Sequence, residues 1–130
     1  MSQIQKNKEF IINYFTEMSG VPKSRALSGK FIKDQALIGH IEFFEKAFPC
    51  YGISVEEITA EGNRVIVRAR TKATHLGYLG EIPPTGKKVD IPLVICYEIE
   101  DSMIVNHWMI ADQLLLMQQL GVVPSEEPAH

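Results

Sequence analysis

The sequence predicts an α+β fold in which helices cover one face of an antiparallel sheet of about four strands. Apolar residues recur at helical spacing over the first 50 residues. From residue 53 onward they alternate along short stretches that are separated by turn sequences. Helical spacing returns from residue 112. Helices first, then a meander of strands and a short C-terminal helix, are typical of an α+β domain.

Length and composition indicate a single domain. The chain has 130 residues, 45% of them hydrophobic, and we expect one domain at 1–121 and a flexible tail at 122–130. The net charge of −3, with scattered basic residues, argues against nucleic-acid binding. No apolar run approaches the roughly 18 residues of a membrane span, and the first ten residues lack a secretory pattern. A cytoplasmic protein with no membrane partner is expected.

Two amphipathic helices are expected before residue 50. Ser2 is placed to cap the first, with Gln5 at the capping-box spacing. Asp34 is placed to cap the second, and Pro49 ends it. Residues 23–33, between them, form a loop or a short helix. The apolar faces consist of Ile4, Ile11, Phe15 and Met18 on the first helix, and Leu37, Ile41, Phe44 and Phe48 on the second.

Four strands follow the helices. The first two flank the turn at 61–63, and the third and fourth flank the turn at 100–102. Alternation places one set of second-strand residues on a common face: Val65, Val67, Ala69, Thr71, Ala73 and His75. From Asp112 the spacing is helical again, and Gly121 suits the position after the last helical turn.

The third strand is apolar on both faces. Val89, Ile91, Leu93, Ile95 and Tyr97 alternate with Pro92, Val94 and Cys96. A sheet with only one covered face alternates apolar and polar residues, so both faces of this strand are expected to be buried. The helices cover one face, and a second subunit is expected to cover the other.

Several motifs between Phe43 and Gly121 resemble the SnoaL-like polyketide cyclases of the NTF2-like superfamily. They are Phe-Pro at 48–49, Thr-His-x-Gly at 74–77, Ile-Pro-Pro-Thr-Gly-Lys at 82–87, His-Trp-x-x-x-Asp at 107–112 and Gln-Leu-Gly at 119–121. The resemblance implies an NTF2-like cone, in which a curved sheet wraps around a pocket that the helices close. It also implies homodimers that pack through the sheet.

The segment at 74–89, "THLGYLGEIPPTGKKV", is a long crossing between two strands. Its two prolines fix φ, and its glycines permit turns with positive φ. In a SnoaL-like fold this segment would form a rigid lip at the edge of the pocket. The face that His75 shares with the rest of its strand would place it at that edge.

Asp112 is the candidate catalytic residue, because family cyclases use an aspartate at the matching position as general acid and base in an intramolecular aldol condensation. That chemistry needs no cofactor, since a carbon between two carbonyls is already acidic and a desolvated carboxylate can accept its proton. A second interpretation stays open. Asp112 directly precedes a helix, where an aspartate is a good N-cap without any catalytic role.

Five further residues are candidates for substrate binding: His75, Trp108, Phe44, His40 and Tyr14. If Trp108 faces the pocket with Asp112, strand alternation turns His107 to the outer face. The histidines show no metal-ligand spacing, so no metal is expected.

Three hypotheses for function follow. The first is a cofactor-independent enzyme that performs aldol cyclisation or isomerisation on a carbonyl-rich or polycyclic apolar molecule. The second is a small-ligand-binding module without turnover. The third is a dimeric interaction module whose cone is filled by side chains. One fold hosts many functions, so the fold alone does not choose among them.

Overall fold

The structure is a computed structural model that describes residues 2–123. The elements in chain order are α1 (Gln3–Met18), α2 (Arg25–Ser28), α3 (Gln35–Ala47), β1 (Gly52–Glu61), β2 (Arg64–Thr74), β3 (Lys88–Glu100), β4 (Met103–Ala111) and α4 (Gln113–Leu120). The predicted α+β order is confirmed. Most of the predicted tail at 122–130 lies outside the described residues. Within residues 2–123, no helix combines the length and the apolar character that crossing a membrane requires.

The helices begin at the residues that the sequence indicates. The Ser2 hydroxyl accepts the backbone N–H of Gln5 at 3.1 Å. The Asp34 carboxylate accepts the N–H groups of Ala36 and Leu37 at 3.0 and 3.2 Å, which caps α3. Each bond satisfies a donor that the first helical turn would otherwise leave without a partner.

The four strands form one antiparallel sheet in the order β1-β2-β3-β4. Gly62 takes a positive φ of 60° in the first hairpin turn, and Asp101 and Ser102 take 50° and 58° in the last. Between β3 and β4 the register shifts, because Ile99 pairs with Ile104 whereas Glu98 pairs with Asn106. Val105 is therefore an extra residue in β4, and such a bulge changes which face the following side chains occupy.

The core lies between the helices and the concave face of the sheet. Val65, Val67 and Ala69 of β2 are fully buried there, which confirms the predicted face of that strand. They pack with buried residues of α1 and α3: Ile11, Tyr14, Phe15, Met18, Leu37, Ile38 and Ile41. A second cluster joins the end of α3 to α4 through Ala47, Phe48, Leu116 and Leu120.

The opposite face of the sheet carries an apolar surface, the outer patch, formed by Ile66, Val94, Cys96, Trp108 and Ile110. Cys96 lies between Ile66 and Trp108 in one cross-strand row, and Val94 is paired with Ile110 in the next. Trp108 is 48% exposed and Ile110 68% exposed. Beside the patch, Arg68 and Arg70 form ion pairs with acidic residues of β1 and β3: Glu56, Glu57 and Asp90.

Candidate functional site

A cavity of about 340 Å³ lies between the concave face of the sheet and the helices. Its walls are mainly aliphatic and aromatic side chains, with Leu37 and Ile41 from α3, Ile91 and Ile95 from β3 and Met109 from β4. Small-molecule sites are commonly apolar concavities of roughly 300–1,000 Å³ with a few polar groups. This cavity is at the small end of that range, so it suits a compact ring system.

Three phenol groups supply much of the polarity of the cavity. Tyr14, Tyr51 and Tyr97 all line it and are all buried. Tyr14 and Tyr97 pack edge to face, with ring centroids 5.8 Å apart. Burial raises the pKa of all three hydroxyl groups well above its usual value, because a phenolate would lose its hydration there. The three hydroxyls therefore remain protonated. The side chains of Tyr14 and Tyr97 are hydrogen-bonded to each other, so one of these donors is already engaged, and the other two can donate to a ligand carbonyl.

His40 is the imidazole of the cavity wall. It projects from α3 and stacks on Phe44, with ring centroids 6.4 Å apart. Desolvation lowers the pKa of His40, and the nearby His107 lowers it further. His40 is therefore a neutral side chain at pH 7, able to accept a proton or a hydrogen bond.

The crossing between β2 and β3 forms one edge of the cavity, through Leu79, Gly80 and Ile82. Leu79 and Ile82 exchange two backbone hydrogen bonds of 3.0 and 2.9 Å, which close a tight turn. Pro83 and Pro84 follow this turn and are exposed. The crossing is thus a fixed lip of the cavity, held by its own backbone hydrogen bonds.

His75 anchors this crossing and does not line the cavity. Its Nδ1 accepts the backbone N–H of Thr85 at 3.1 Å and lies 3.0 Å from the Thr85 hydroxyl. The side chain is fully buried, with its ring 5.1 Å from that of Phe48. The expected place of His75 at the pocket edge is therefore wrong. The strand face was predicted correctly, but the strand ends at Thr74, and His75 points into the packing beneath the lip.

We expect His75→Ala to lower the free energy of unfolding by roughly 2–4 kcal/mol, because it leaves the Thr85 N–H without its acceptor and opens a void beside Phe48. Urea denaturation measures the change. Thr85→Val is the matched variant, since it removes the hydroxyl but keeps the backbone N–H, and it should cost about 1 kcal/mol. Equal, small losses for both variants would contradict an anchoring role for the imidazole.

Asp112 is the N-cap of α4. Its Oδ1 accepts the backbone N–H of Leu115 at 2.9 Å, and the residue is exposed. Its two chain neighbours, Ala111 and Gln113, line the cavity, whereas Asp112 itself is not part of the wall. The carboxylate thus lies at the rim. Its N-cap position is observed, and its catalytic role stays a prediction.

Trp108 lies on the outer face of β4, away from the cavity, so its expected inward orientation is wrong. The residues of β4 that face the cavity are Met109 and Ala111. The bulge at Val105 explains the difference. Before it, the even-numbered Ile104 is buried, and after it the odd-numbered residues of the strand face inward. The sequence is apolar on both sides of this strand and does not reveal the reversal.

The same bulge turns His107 to the concave side, where it meets Asp34. His107 Nδ1 lies 2.6 Å from Asp34 Oδ2, and both side chains are largely buried, with 16% and 10% of their surface exposed. Burial by itself would raise the pKa of Asp34, but the hydrogen bonds from His107 and from the backbone of α3 outweigh it and lower the pKa overall. Asp34 is thus a carboxylate at neutral pH, and the expected outward orientation of His107 is wrong.

Of the six predicted site residues, Tyr14, His40 and Phe44 line one cavity, and His75, Trp108 and Asp112 are not part of its wall. Sequence reasoning missed Tyr51, Tyr97 and the Asp34–His107 pair. Tyr97 could have been found from the sequence, because it continues the alternating apolar residues of β3 that face inward. No comparable signal exists for the pair, whose members are 73 positions apart. Within residues 2–123, no three His, Cys, Asp or Glu side chains are grouped as metal ligands would be.

Comparison with known proteins identifies similar chains. The family model described as SnoaL-like polyketide cyclase matches residues 29–120. A protein from Jannaschia sp. CCS1 described as a SnoaL-like polyketide cyclase has a TM-score of 0.81 at 23% identity, with 95% of this chain and 98% of that chain covered. One from Acidithiobacillus ferrooxidans, described as a polyketide cyclase, has a TM-score of 0.78 at 22% identity, covering 94% and 99%.

AclR of Streptomyces galilaeus, described as a hydroxylase, has a TM-score of 0.74 at 23% identity, with 96% of this chain and 87% of that chain covered. At such identities the structural likeness shows the fold alone. No curated protein matches the chain by sequence.

Proposed function

Because the chain belongs to the SnoaL-like polyketide cyclase family, we propose that it binds a compact, carbonyl-bearing ring compound in its cavity and catalyses cofactor-independent acid–base chemistry on it. The reaction class is intramolecular aldol cyclisation or a related isomerisation. Tyr14, His40 and Phe44 are the proposed binding residues. Asp112 is the proposed acid–base group at the rim.

The observation that carries this proposal is an apolar cavity lined by buried phenols. Apolar walls favour a hydrocarbon ring system, since burial stabilises apolar surface by roughly 25 cal/mol per Å². The hydroxyls of Tyr14, Tyr51 and Tyr97 are donors that apolar surroundings strengthen. A carbonyl oxygen gains negative charge as an enolate or alkoxide forms, and prearranged donors stabilise that charge.

The ring closure itself needs two proton transfers. A base removes a proton from the carbon between two carbonyls, and the resulting enolate carbon attacks a ketone carbon of the same molecule. The new C–C bond forms while the C=O electron pair moves onto oxygen, and the alkoxide then takes up a proton. Asp112 would perform both transfers. It would accept the proton from carbon, keep it while the C–C bond forms, and then give it to the alkoxide.

A binding module without turnover is the second candidate. The position of Asp112 favours it, because this carboxylate is exposed and already accepts a hydrogen bond from Leu115 N–H. No carboxylate of residues 2–123 lines the cavity wall. The open cavity, in contrast, disfavours an interaction module whose cone is filled by side chains.

We expect Asp112→Asn to stay folded and to lose turnover by roughly 10²-fold or more. Asparagine caps helices about as well as aspartate, so the free energy of unfolding should change by less than about 0.5 kcal/mol. The assay uses compact ring compounds that carry a ketone and a β-keto ester side chain, with ring closure followed by mass spectrometry and absorbance.

The matched control is Asp101→Asn, which removes an exposed carboxylate in the turn between β3 and β4. It should keep full activity. Binding of these esters without ring closure by the wild type would favour the binding module. Full turnover by Asp112→Asn would contradict the catalytic role of Asp112 and would mean that this residue only caps α4.

We also propose that two copies of the chain pair through the outer patch. Three observations support this. The patch is apolar across three strands, it contains the exposed Trp108 and Ile110, and Ile66 at its other side is exposed as well. Aromatic residues at the centre of an apolar patch are typical of protein interfaces.

A further inference from the structure

The Asp34–His107 pair is a carboxylate–imidazole arrangement of the kind that orients a base. Asp34 Oδ2 holds His107 Nδ1 at 2.6 Å. The carboxylate is itself fixed, since its other oxygen accepts two backbone N–H groups of α3. With Nδ1 engaged in this way, Nε2 is the ring nitrogen left for a ligand.

Two features of the fold create the pair. The segment before α3 docks on β4, where Ile104 accepts the Lys33 N–H at 2.8 Å and donates its own N–H to Phe31 at 2.8 Å. This docking brings Asp34 against β4. The bulge at Val105 then turns His107 towards it. The pair therefore depends on a specific distortion of the strand and not on a surface encounter of two mobile side chains.

His107 lies next to the cavity wall, although it is not one of the residues that form it. It lies on the concave face with Met109 and Ala111, which line the cavity, and directly opposite Tyr97, which also lines it. Directly opposed side chains in an antiparallel sheet have Cβ atoms about 5 Å apart. His40, the other imidazole of this region, lies in the cavity wall close enough for the charge of His107 to affect it.

We propose that His107, held in place by Asp34, is a second proton acceptor at the edge of this cavity, at a position distinct from that of Asp112. His107 and Asp112 are about 16 Å apart along the chain direction of β4 and the residue that follows it, at roughly 3.3 Å per residue. They therefore serve different atoms of the ligand. This inference rests on the proposed function, and it adds that the ligand carries an acidic C–H or hydroxyl group at two separate positions.

The proposed step transfers one proton. His107 Nε2 takes a proton from an activated carbon, and the C–H electron pair moves into the adjacent carbonyl to give an enolate. The Asp34 carboxylate stabilises the imidazolium that results, and the hydrogen-bonded pair of Tyr14 and Tyr97 is placed to donate its remaining O–H to the enolate oxygen. Asp34 is thus a positioning residue and His107 the catalytic one.

A general-base probe tests this without the natural substrate. In 5-nitrobenzisoxazole, a base removes the proton from the carbon beside the ring nitrogen. The C–H electron pair completes a nitrile as the N–O bond breaks, which releases the coloured 2-cyano-4-nitrophenolate. We expect the full-length protein to exceed the rate of free imidazole at equal concentration. His107→Gln should lose roughly 10²-fold in kcat with little change in KM.

Asp34→Asn should lose less activity than His107→Gln, again in kcat, while α3 keeps its cap. Asp101→Asn is the control that should leave the rate unchanged. Three results would overturn the inference: a wild type no faster than imidazole, wild-type kcat in His107→Gln, or a greater loss in Asp112→Asn than in His107→Gln.

Two further measurements keep the inference testable. If His107→Gln fails to fold, diethyl pyrocarbonate labelling of the wild type replaces it. Loss of activity must then follow modification of His107, as located by mass spectrometry, and labelling of His40 alone must not account for it. Binding of the product 2-cyano-4-nitrophenol tests the cavity separately. Binding without base activity contradicts this inference alone, whereas no binding contradicts the proposed function as well.

Discussion

Gly77→Ala is expected to destabilise the protein severely. A Cβ at this position would overlap the carbonyl oxygen of Lys46, far inside the 3.0 Å that real Cβ atoms keep. The obstacle is backbone, so no rotamer change relieves it. The lip would have to move away from α3 and lose the bonds from Leu76 N–H and Gly77 N–H to Ala47 O, now 3.0 and 3.1 Å long.

Two lost hydrogen bonds at about 1 kcal/mol each and an overpacking strain of roughly 1–3 kcal/mol give a loss of roughly 3–5 kcal/mol. This is a large share of the roughly 5–15 kcal/mol by which domains are stable. Urea denaturation of the variant should show it, with a melting temperature lower by roughly 10 °C or more. The lip borders the cavity, so ligand binding should weaken as well.

Gly39→Ala is the matched control. Gly39 lies within α3, and an added Cβ there meets no atom within 4 Å. Alanine is the better helix former by roughly 0.5–1 kcal/mol, so this variant should be slightly more stable than the wild type. Similar stability of the two variants would mean that the lip does not contact α3 as described.

Ile110→Glu is expected to convert the proposed homodimer into a monomer. Ile110 is 68% exposed and belongs to the outer patch, where it pairs with Val94. A glutamate there meets water in the free chain but would be buried without a partner in the interface, and burying an unpaired charge is strongly unfavourable. We expect the dissociation constant of the dimer to rise by roughly 10²-fold or more, as measured by sedimentation.

Ile12→Glu is the control for this prediction. Ile12 is an exposed isoleucine of α1, 44% exposed and remote from the outer patch. The same substitution there should change neither the mass nor the stability of the assembly. A wild type that sediments as a monomer at micromolar concentration, or an Ile110→Glu variant that still dimerises fully, would contradict pairing through the outer patch.

The pH dependence of stability should reflect Asp34. Its pKa is lower in the folded chain than in the unfolded chain, where it is near 3.9. The unfolded state therefore binds its proton first as pH falls. The stabilisation by Asp34 is present above about pH 4 and is lost as pH falls through the lower, folded value. Asp34→Asn should flatten this acid limb in urea denaturation series, and an unchanged limb would contradict it.

The sequence by itself determined the elements and their order. Helix caps at Ser2, Asp34 and Asp112 depend on local hydrogen bonds, which neighbouring residues make within one turn. The inward face of β2 follows from strict alternation, which one strand displays without help from others. The family motifs are also local, and the family that they indicate matches residues 29–120.

Tertiary structure alone decided which side chains meet. His75 continues the inward face of β2, yet it packs beneath the lip because the strand ends one residue earlier. Trp108 lies on the outer face and His107 on the inner face, the reverse of what was expected. The reason is that β4 has one extra, unpaired residue, Val105, opposite β3. A bulge depends on how two strands align, and that alignment results from packing and hydrogen bonds of the whole sheet. The pairing of Asp34 with His107 follows from the same alignment.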